Sequence, residues 1–326
     1  MNKKLIFGIV LGIVLIYFSV RGIDFNETIS HLKKINLGYA ALSLFFIVLM
    51  QALRSYRWGV ILEPLEKIPQ FTLFAVTSVG FLAIAAIPAR IGELARPFLI
   101  SRKSSIKMSS GLGTVAIERV LDFLSILIIT IFMLLMFWQK LPPEMIISIV
   151  LFSIITLIMI FFTLSLVWHR EKAVIVIQWV IRKLPKIIAD KMDPLIHHFI
   201  DGFEVIKNVK TLVYLFFLSA IVWLVDVVAI YALLLAFGFD LPVLAAVVVM
   251  VILIAGIMIP TAPGFIGNWH YACILGLSLF GIAKPEAFSF ALVYHFLSMV
   301  VLIVLGVGFL PFNKFSISDM TKQMNK

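Results

Sequence analysis

Charged side chains are scarce in this chain of 326 residues. Asp, Glu, Lys and Arg together make up 13% of it, whereas 62% of the residues are hydrophobic. Soluble domains are about one-quarter charged and about half apolar, and disordered segments are richer in charge and poorer in apolar residues. The composition therefore excludes both a soluble domain and a disordered chain, and it predicts an integral membrane protein.

Cysteine and the common catalytic motifs are also lacking. Cys273 is the single cysteine, which excludes an internal disulfide and a cysteine-based zinc cluster. HExxH, GxSxG, P-loop and dinucleotide-binding patterns are absent. We therefore expect no metal and no cofactor. Basic residues exceed acidic ones, 27 against 17, and we assign the excess to cytoplasmic loops and not to nucleic-acid binding.

Long apolar runs are abundant. A helix needs about 20 apolar residues to cross a bilayer, and six runs meet this requirement: 5–23, 37–62, 111–138, 145–168, 211–237 and 287–310. Lys3 and Lys4 precede the first run, as in a signal peptide, but no small-residue cleavage site follows. We therefore predict an uncleaved first helix.

Two further apolar stretches, 71–89 and 243–259, end in breaks rich in proline and glycine. The segments that follow, 93–103 and 269–281, are too short or too polar to span. If both breaks form re-entrant hairpins, the cytoplasmic segments hold 21 Lys and Arg and the outer loops hold 5, as the positive-inside rule requires. The predicted hairpin hinges are Pro88, Gly92, Pro260, Pro263, Gly264 and Gly267.

This topology makes residues 37–138 and 211–310 an inverted repeat, an arrangement common in secondary transporters. The prediction is an all-α polytopic protein with about six full spans and two re-entrant broken-helix hairpins, in one transmembrane domain. Residues 1–36 would form the first helix and loop, and 311–326 a cytoplasmic tail. Both termini would be cytoplasmic, in the cytoplasmic (inner) membrane.

The connection at 139–210 contains the predicted span 145–168 and then the longest polar stretch of the chain. Apolar residues recur there at three- and four-residue steps, from Ile188 to Ile206. This spacing predicts an amphipathic helix on the cytoplasmic membrane surface. A connector helix packed against the bundle is the alternative.

Ionisable residues within the apolar regions are the candidate functional residues, because they are costly in a membrane. Arg90, Arg96 and Arg119 supply guanidinium groups that suit phosphate. Glu93, Glu118 and Asp122 would hold these arginines in place or carry a proton. Two alternatives are ordinary positive-inside arginines at the first break and a buried ion network that only fixes packing.

A weaker set consists of Asp226 in the predicted span 211–237, His270 after the second break and His295 in the last span. Together they could form a proton relay or contact a headgroup, although a lone histidine in a helix is more often a packing residue. Arg54 and Arg57, beside Trp58, are interpreted as an interfacial anchor, with contact to an inner-leaflet headgroup as the alternative.

Arg90, Gly92, Glu93, Arg96 and Pro97 form an R-x-G-E-x-x-R-P turn, and Glu118, Arg119 and Asp122 form an E-R-x-x-D run. With these motifs, and Pro260 to Gly264, the chain resembles the lysylphosphatidylglycerol synthase transmembrane-region family, also called flippase-like or UPF0104 proteins. The resemblance implies a membrane region like the one that flips an aminoacylated phospholipid in two-domain members. The chain ends soon after its last helix, so we do not expect the synthase activity.

We therefore expect a lipid translocator that moves a phosphate-bearing headgroup, on an anionic or aminoacylated phospholipid or on a polyprenyl-phosphate-linked sugar. Membrane lipids are the expected partners. A non-catalytic partner of a separate synthase or glycosyltransferase, and an intramembrane enzyme acting on lipid carriers, are the alternatives. The sequence leaves the oligomeric state open.

Overall fold

The computed structural model describes residues 3–86, 92–137, 150, 153–154, 157–158, 161, 198–199, 201–203, 208–258 and 262–313. Every regular element in these ranges is helical. The helices are α1 (Lys3–Val20), α2 (Phe25–Lys33), α3 (Leu37–Leu62), α4 (Gln70–Ala86), α5 (Ala95–Ser101), α6 (Met108–Phe137), α7 (Val209–Ala236), α8 (Val243–Met258), α9 (Asn268–Ser278) and α10 (Lys284–Asn313).

Three of these helices, α3, α7 and α10, are long and apolar enough to cross a membrane. Shorter apolar helices include α4, α8 and the part of α1 from Val10 to Val20. Hydropathy predicted the bounds of all six to within a few residues. An apolar segment in a membrane forms a helix because its backbone must make its hydrogen bonds internally. The predicted span 145–168 lies largely outside the described residues.

Asparagine caps the first helix of each proposed half. The Asn36 side chain accepts hydrogen bonds from the backbone amides of Gly38 and Tyr39, at 2.9 and 3.3 Å. Asn208 accepts one from the amide of Thr211 at 3.2 Å. Such caps satisfy backbone donors that have no partner within the helix, and so they define where α3 and α7 begin.

Two hydrophobic cores lie side by side. One is built mainly from α7 to α10, with Met250, Cys273 and Phe290 fully buried at its centre. The other is built mainly from α3 to α6 around Trp58 and Phe98. Extensive packing of α3 against α7 joins the two cores, and α4 lies along α10.

Both apolar stretches that precede a predicted break end as predicted, and the chain then folds back. Residues 92–94 form a 3-10 turn before α5, which packs on α4. A 3-10 turn at Pro263–Phe265 precedes α9, which packs on α8. Of the predicted hinges, Pro88 and Pro260 lie outside the described residues.

At two of the predicted hinges the backbone geometry requires glycine. Gly267 has φ +99°, which L side chains rarely adopt, and a Cβ there would collide with the backbone of Gly12 in α1. Gly92 lies so close to α4 that a Cβ would collide with the carbonyl group of Ala83. Glycine therefore lets the backbone approach closely at both breaks.

The predicted surface helix within 139–210 falls mostly outside the described residues. Of its described part, Phe203 is buried and Phe199 packs against the core formed by α3 to α6. A Cβ on Gly113 of α6 would meet the backbone of Phe199 and Gly202. This short part therefore packs against the bundle, which was the alternative to a membrane-surface helix.

Candidate functional site

A buried ion network connects α3, α5, α6 and α7. At its centre Glu118 of α6 is fully buried, and it accepts two hydrogen bonds from the guanidinium of Arg96, at 3.0 and 2.8 Å. Arg57 and Arg119 approach the same carboxylate, at 3.4 and 3.2 Å. Such a bidentate pair is geometrically specific, so Glu118 holds α5 against α6.

Asp122, one helical turn after Glu118, is the second acidic centre. Its Oδ1 accepts hydrogen bonds from Arg57 Nη1 at 2.6 Å and Trp223 Nε1 at 3.2 Å. Arg119 lies 3.3 Å from its Oδ2. Arg57 also donates to the hydroxyl of Ser219, at 2.8 Å. Asp122 and Arg57 together connect α6 to α3 and α7.

The interpretation of Arg57 and Trp58 as an interfacial anchor is wrong. Both side chains are fully buried, and Trp58 packs its ring 4.2 Å from the guanidinium of Arg96 while donating to the hydroxyl of Thr114 at 3.1 Å. The wrong interpretation arose because both residues lie near the end of an apolar helix, which is where interfacial anchors occur. Only the carboxylates supplied by α6 identify Arg57 as part of the network.

A cavity of about 210 Å³ lies next to the network, between the two halves of the protein. Side chains of α3, α4, α6, α7, α8, α9 and α10 line it. Glu93 from the first break and Phe265 from the second also line it. The two broken segments therefore meet at one cavity.

The cavity wall is polar on part of its surface and apolar on the rest. Its charged members are Arg54, Glu93, Arg119, Asp122 and Asp226, and its other polar members are Gln51, Trp223, Trp269, Tyr294 and Ser298. Most of the remaining lining is aliphatic or aromatic, as in many ligand sites, where a few polar groups fix orientation.

The arginines predicted to bind phosphate differ in position. Arg119 lines the cavity, and 34% of its side chain is exposed. Arg96 does not line it: it is buried, bound to Glu118 and stacked on Trp58. These contacts fix the guanidinium of Arg96 between Glu118 and Trp58. Arg90 lies outside the described residues.

Asp226 is buried and faces the cavity, where it accepts a hydrogen bond from the Tyr294 hydroxyl at 3.0 Å. His270 and His295 lie together, with ring centroids 4.9 Å apart. His295 Nε2 lies 2.7 Å from the carbonyl oxygen of Gly264. Neither histidine lines the cavity. The two histidines contact each other, but no contact of either with Asp226 is found, so the three residues do not form a continuous relay.

Metal ligation finds no support in the described part of the chain. Within it, no group of three or more His, Cys, Asp or Glu side chains comes together. The carboxylates at the site are arranged around guanidinium groups, and the single thiol, Cys273, is buried in the apolar core.

Sequence comparison places the network and the cavity in a family context. The family described as Lysylphosphatidylglycerol synthase TM region matches residues 5–306. The chain belongs to this family. The match includes both breaks and every residue of the ion network, so the described site lies wholly within the family region.

Relatives from two archaea cover most of the chain. A UPF0104 membrane protein of Methanothermobacter thermautotrophicus is 22% identical over 333 residues, which cover 98% of this chain and 97% of the relative. A UPF0104 membrane protein of Methanocaldococcus jannaschii is 26% identical over 221 residues, 68% of this chain and 89% of the relative. These relatives and the apolar helices support a multi-pass membrane protein, and the family description is consistent with a lipid-related role.

Proposed function

We propose that this protein is a lipid translocator that carries a phosphate-bearing headgroup across the cytoplasmic membrane. The observation that carries the proposal is the cavity between the two halves, where charged groups lie among apolar helices. A phosphate crossing hydrocarbon needs such compensation, since an unpaired charge in the membrane core is costly. The apolar part of the lining would accept the first carbons of the lipid tails.

The charge balance of the site supports this role. Among the described residues, Arg54, Arg57, Arg96 and Arg119 face four carboxylates, those of Glu93, Glu118, Asp122 and Asp226. Without a headgroup these charges balance, so they leave no net charge in the apolar surroundings, where an uncompensated charge is costly. Arg119, which is only partly buried, can turn from its carboxylates toward a phosphate.

The proposal includes an inverted repeat of α3–α6 and α7–α10, with two re-entrant hairpins. Matching contacts support it: α3 packs on α4 as α7 does on α8, α4 on α5 as α8 on α9, and α5 on α6 as α9 on α10. Each half has its own core and an asparagine cap at its first helix. Repeats of this kind alternate access around a shared central site.

The first test of topology uses single cysteines at Ser104 and Ala283 in a Cys273→Ala background. We expect a membrane-impermeant thiol reagent to label position 283 in intact cells and position 104 only after permeabilisation. Both termini are proposed to be cytoplasmic, in line with the distribution of Lys and Arg. Labelling of both positions from the same side would contradict the inverted repeat.

The test of function is lipid movement in proteoliposomes, with a headgroup-labelled anionic phospholipid and Arg119→Gln as the variant. A charge-assisted hydrogen bond contributes about 1.5–3 kcal/mol, so we expect Arg119→Gln to lower the initial rate of movement about 10- to 100-fold. In this variant Glu118 still pairs with Arg96, and Asp122 still pairs with Arg57. The variant should therefore fold.

Arg102→Gln is the matched control, because Arg102 is exposed and packs over Phe98 away from the cavity. It should move lipid at the unmodified rate. Equal rates for both variants would refute a role for Arg119. If folded protein moves no lipid, and instead alters the lipid covalently or acts only with a co-purifying enzyme, the translocator proposal fails.

A further inference from the structure

Three side chains with N–H groups on the cavity wall donate no hydrogen bond and form no ion pair within the described part of the protein. They are Gln51 and Arg54 of α3 and Trp269 of α9. Gln51 is 3% exposed and Trp269 is 8% exposed, yet Gln51 Nε2 and Trp269 Nε1 have no hydrogen-bond partner in the described part of the protein. Buried donors are nearly always paired, so on the cavity wall both are available to an acceptor on a ligand.

Arg54 has its guanidinium between two aromatic rings. Its Cζ atom lies 5.3 Å from the centroid of Phe81 and 5.6 Å from that of Trp223. Within the described ranges, no carboxylate lies within ion-pair distance of this guanidinium, in contrast to Arg57, Arg96 and Arg119. Stacking uses the faces of the guanidinium and leaves its N–H edges available for an acceptor.

Gln51 and Arg54 are three residues apart on α3 and therefore share a face of that helix. Trp269 lies across the same cavity, in the first turn after the second break. The three donors thus approach one space from both halves of the protein. A phosphate has the acceptor oxygens that such a set requires.

We propose, on the basis of the translocator function, that Gln51, Arg54 and Trp269 bind the phosphate of the transported lipid and select a phosphodiester. A phosphodiester carries a single negative charge, which the guanidinium of Arg54, held only between aromatic rings, can match. A phosphomonoester carries about −1.5 to −2 at pH 7. Its additional charge would face the carboxylates of Glu93, Asp122 and Asp226, which line the same cavity.

Short-chain lipids test this assignment without requiring transport. The probes are dihexanoyl phosphatidylglycerol, a phosphodiester, and dihexanoyl phosphatidic acid, a phosphomonoester. Binding to the purified full-length protein in detergent is measured by calorimetry. The phosphodiester should bind at least about 10-fold more tightly, and Arg54→Gln should weaken its binding about 10- to 100-fold, as expected for one charge-assisted hydrogen bond.

Two conservative variants refine the test. They also allow the proposal to be tested if Arg54→Gln does not fold. Arg54→Lys keeps the charge and should lose less affinity than Arg54→Gln. Trp269→Phe removes the N–H group but keeps a ring in place, and it should weaken binding several-fold. Arg102→Gln is again the control and should bind as the unmodified protein does.

A phosphodiester can come from a glycerophospholipid or from a polyprenyl phosphosugar. A citronellyl phosphomannose probe, compared with phosphatidylglycerol, separates these sources, and tighter binding of either one supports the proposal. Binding of neither phosphodiester, tighter binding of phosphatidic acid, or unchanged affinity in the variants at Arg54 and Trp269 overturns it.

The two proposals fail in different ways. Phosphodiester binding that depends on Arg54, in a protein that moves no lipid, would refute translocation and leave the binding site in place. Lipid movement that Arg54→Gln and Trp269→Phe do not affect would refute the binding site and leave translocation in place.

Discussion

Glu118→Ala is expected to destabilise the protein by about 3–5 kcal/mol, because removing one member of a buried ion pair leaves its partner charged and unpaired. The affected partner is Arg96, which is 1% exposed and forms both of its carboxylate hydrogen bonds with Glu118. Arg57 also loses one of its two acidic partners. Thermal unfolding in detergent micelles measures the effect.

Glu63→Ala is the control for this variant. Glu63 is exposed at the end of α3 and pairs only at the surface with Lys67, at 3.1 Å. Exposed ion pairs contribute about 0–1 kcal/mol, so the melting temperature should barely change. An equally small effect of Glu118→Ala would mean that the network does not hold α5 to α6.

A double variant separates stability from function. Replacing both Arg96 and Glu118 by leucine leaves no unpaired charge between them, and buried pairs replaced by apolar side chains often retain stability. We expect this variant to recover much of the stability lost in Glu118→Ala but to remain impaired in lipid movement, because Arg57 and Arg119 lose a carboxylate that positions them. Full lipid movement would show that the network only fixes packing.

Arg57→Met is the second change with a large expected effect, also about 3–5 kcal/mol. The substitution fills much of the same volume but leaves Asp122 without its 2.6 Å partner and removes the contact to Ser219. Arg119 and Trp223 still face Asp122, which limits the loss. The free energy of unfolding, from denaturant titration of the purified protein, measures it.

Arg21→Met provides the comparison, since Arg21 is exposed in the turn after α1. An arginine that acts as an interfacial anchor should behave like Arg21, with little change in stability. Near-equal values for the two variants would restore the anchor interpretation of Arg57 and contradict its assignment to the network.

The apolar segments could be predicted from the sequence because their length and hydropathy are local properties. The predicted bounds 37–62 coincide with α3, and 211–237 differs from α7 by two residues at one end and one at the other. The turns at Gly92 and at Pro263 to Gly267 could likewise be predicted, since proline and glycine interrupt a helix whatever surrounds it.

Part of the ion network also has a local signal. Arg119 and Asp122 are three residues apart on one helix, a spacing that brings side chains together, and their contact is observed at 3.3 Å. The pairing of Arg96 with Glu118 has no such local signal. It requires the fold, because 22 residues separate the two side chains.

Arg54 and Arg57 show where prediction from sequence ends. Both occur near the end of the same apolar helix, where arginine is common at a membrane interface. One is enclosed by two carboxylates of α6, and the other lies between aromatic rings on the cavity wall. The sequence of α3 cannot show either environment, because the residues that contact these two arginines belong to α4, α6 and α7.

The sequence alone determined that this protein lies in a membrane, that its apolar helices have these bounds, and that two apolar stretches end in breaks. It did not predict α2, which lies in the segment expected to be a loop. These properties follow from the composition of single segments and from the requirement for internal backbone hydrogen bonds. The tertiary structure decided which charges pair, which side chains face the cavity, and which donors lack a protein partner. Those properties depend on distances between segments far apart in the chain, and only the packing of the two halves sets these distances.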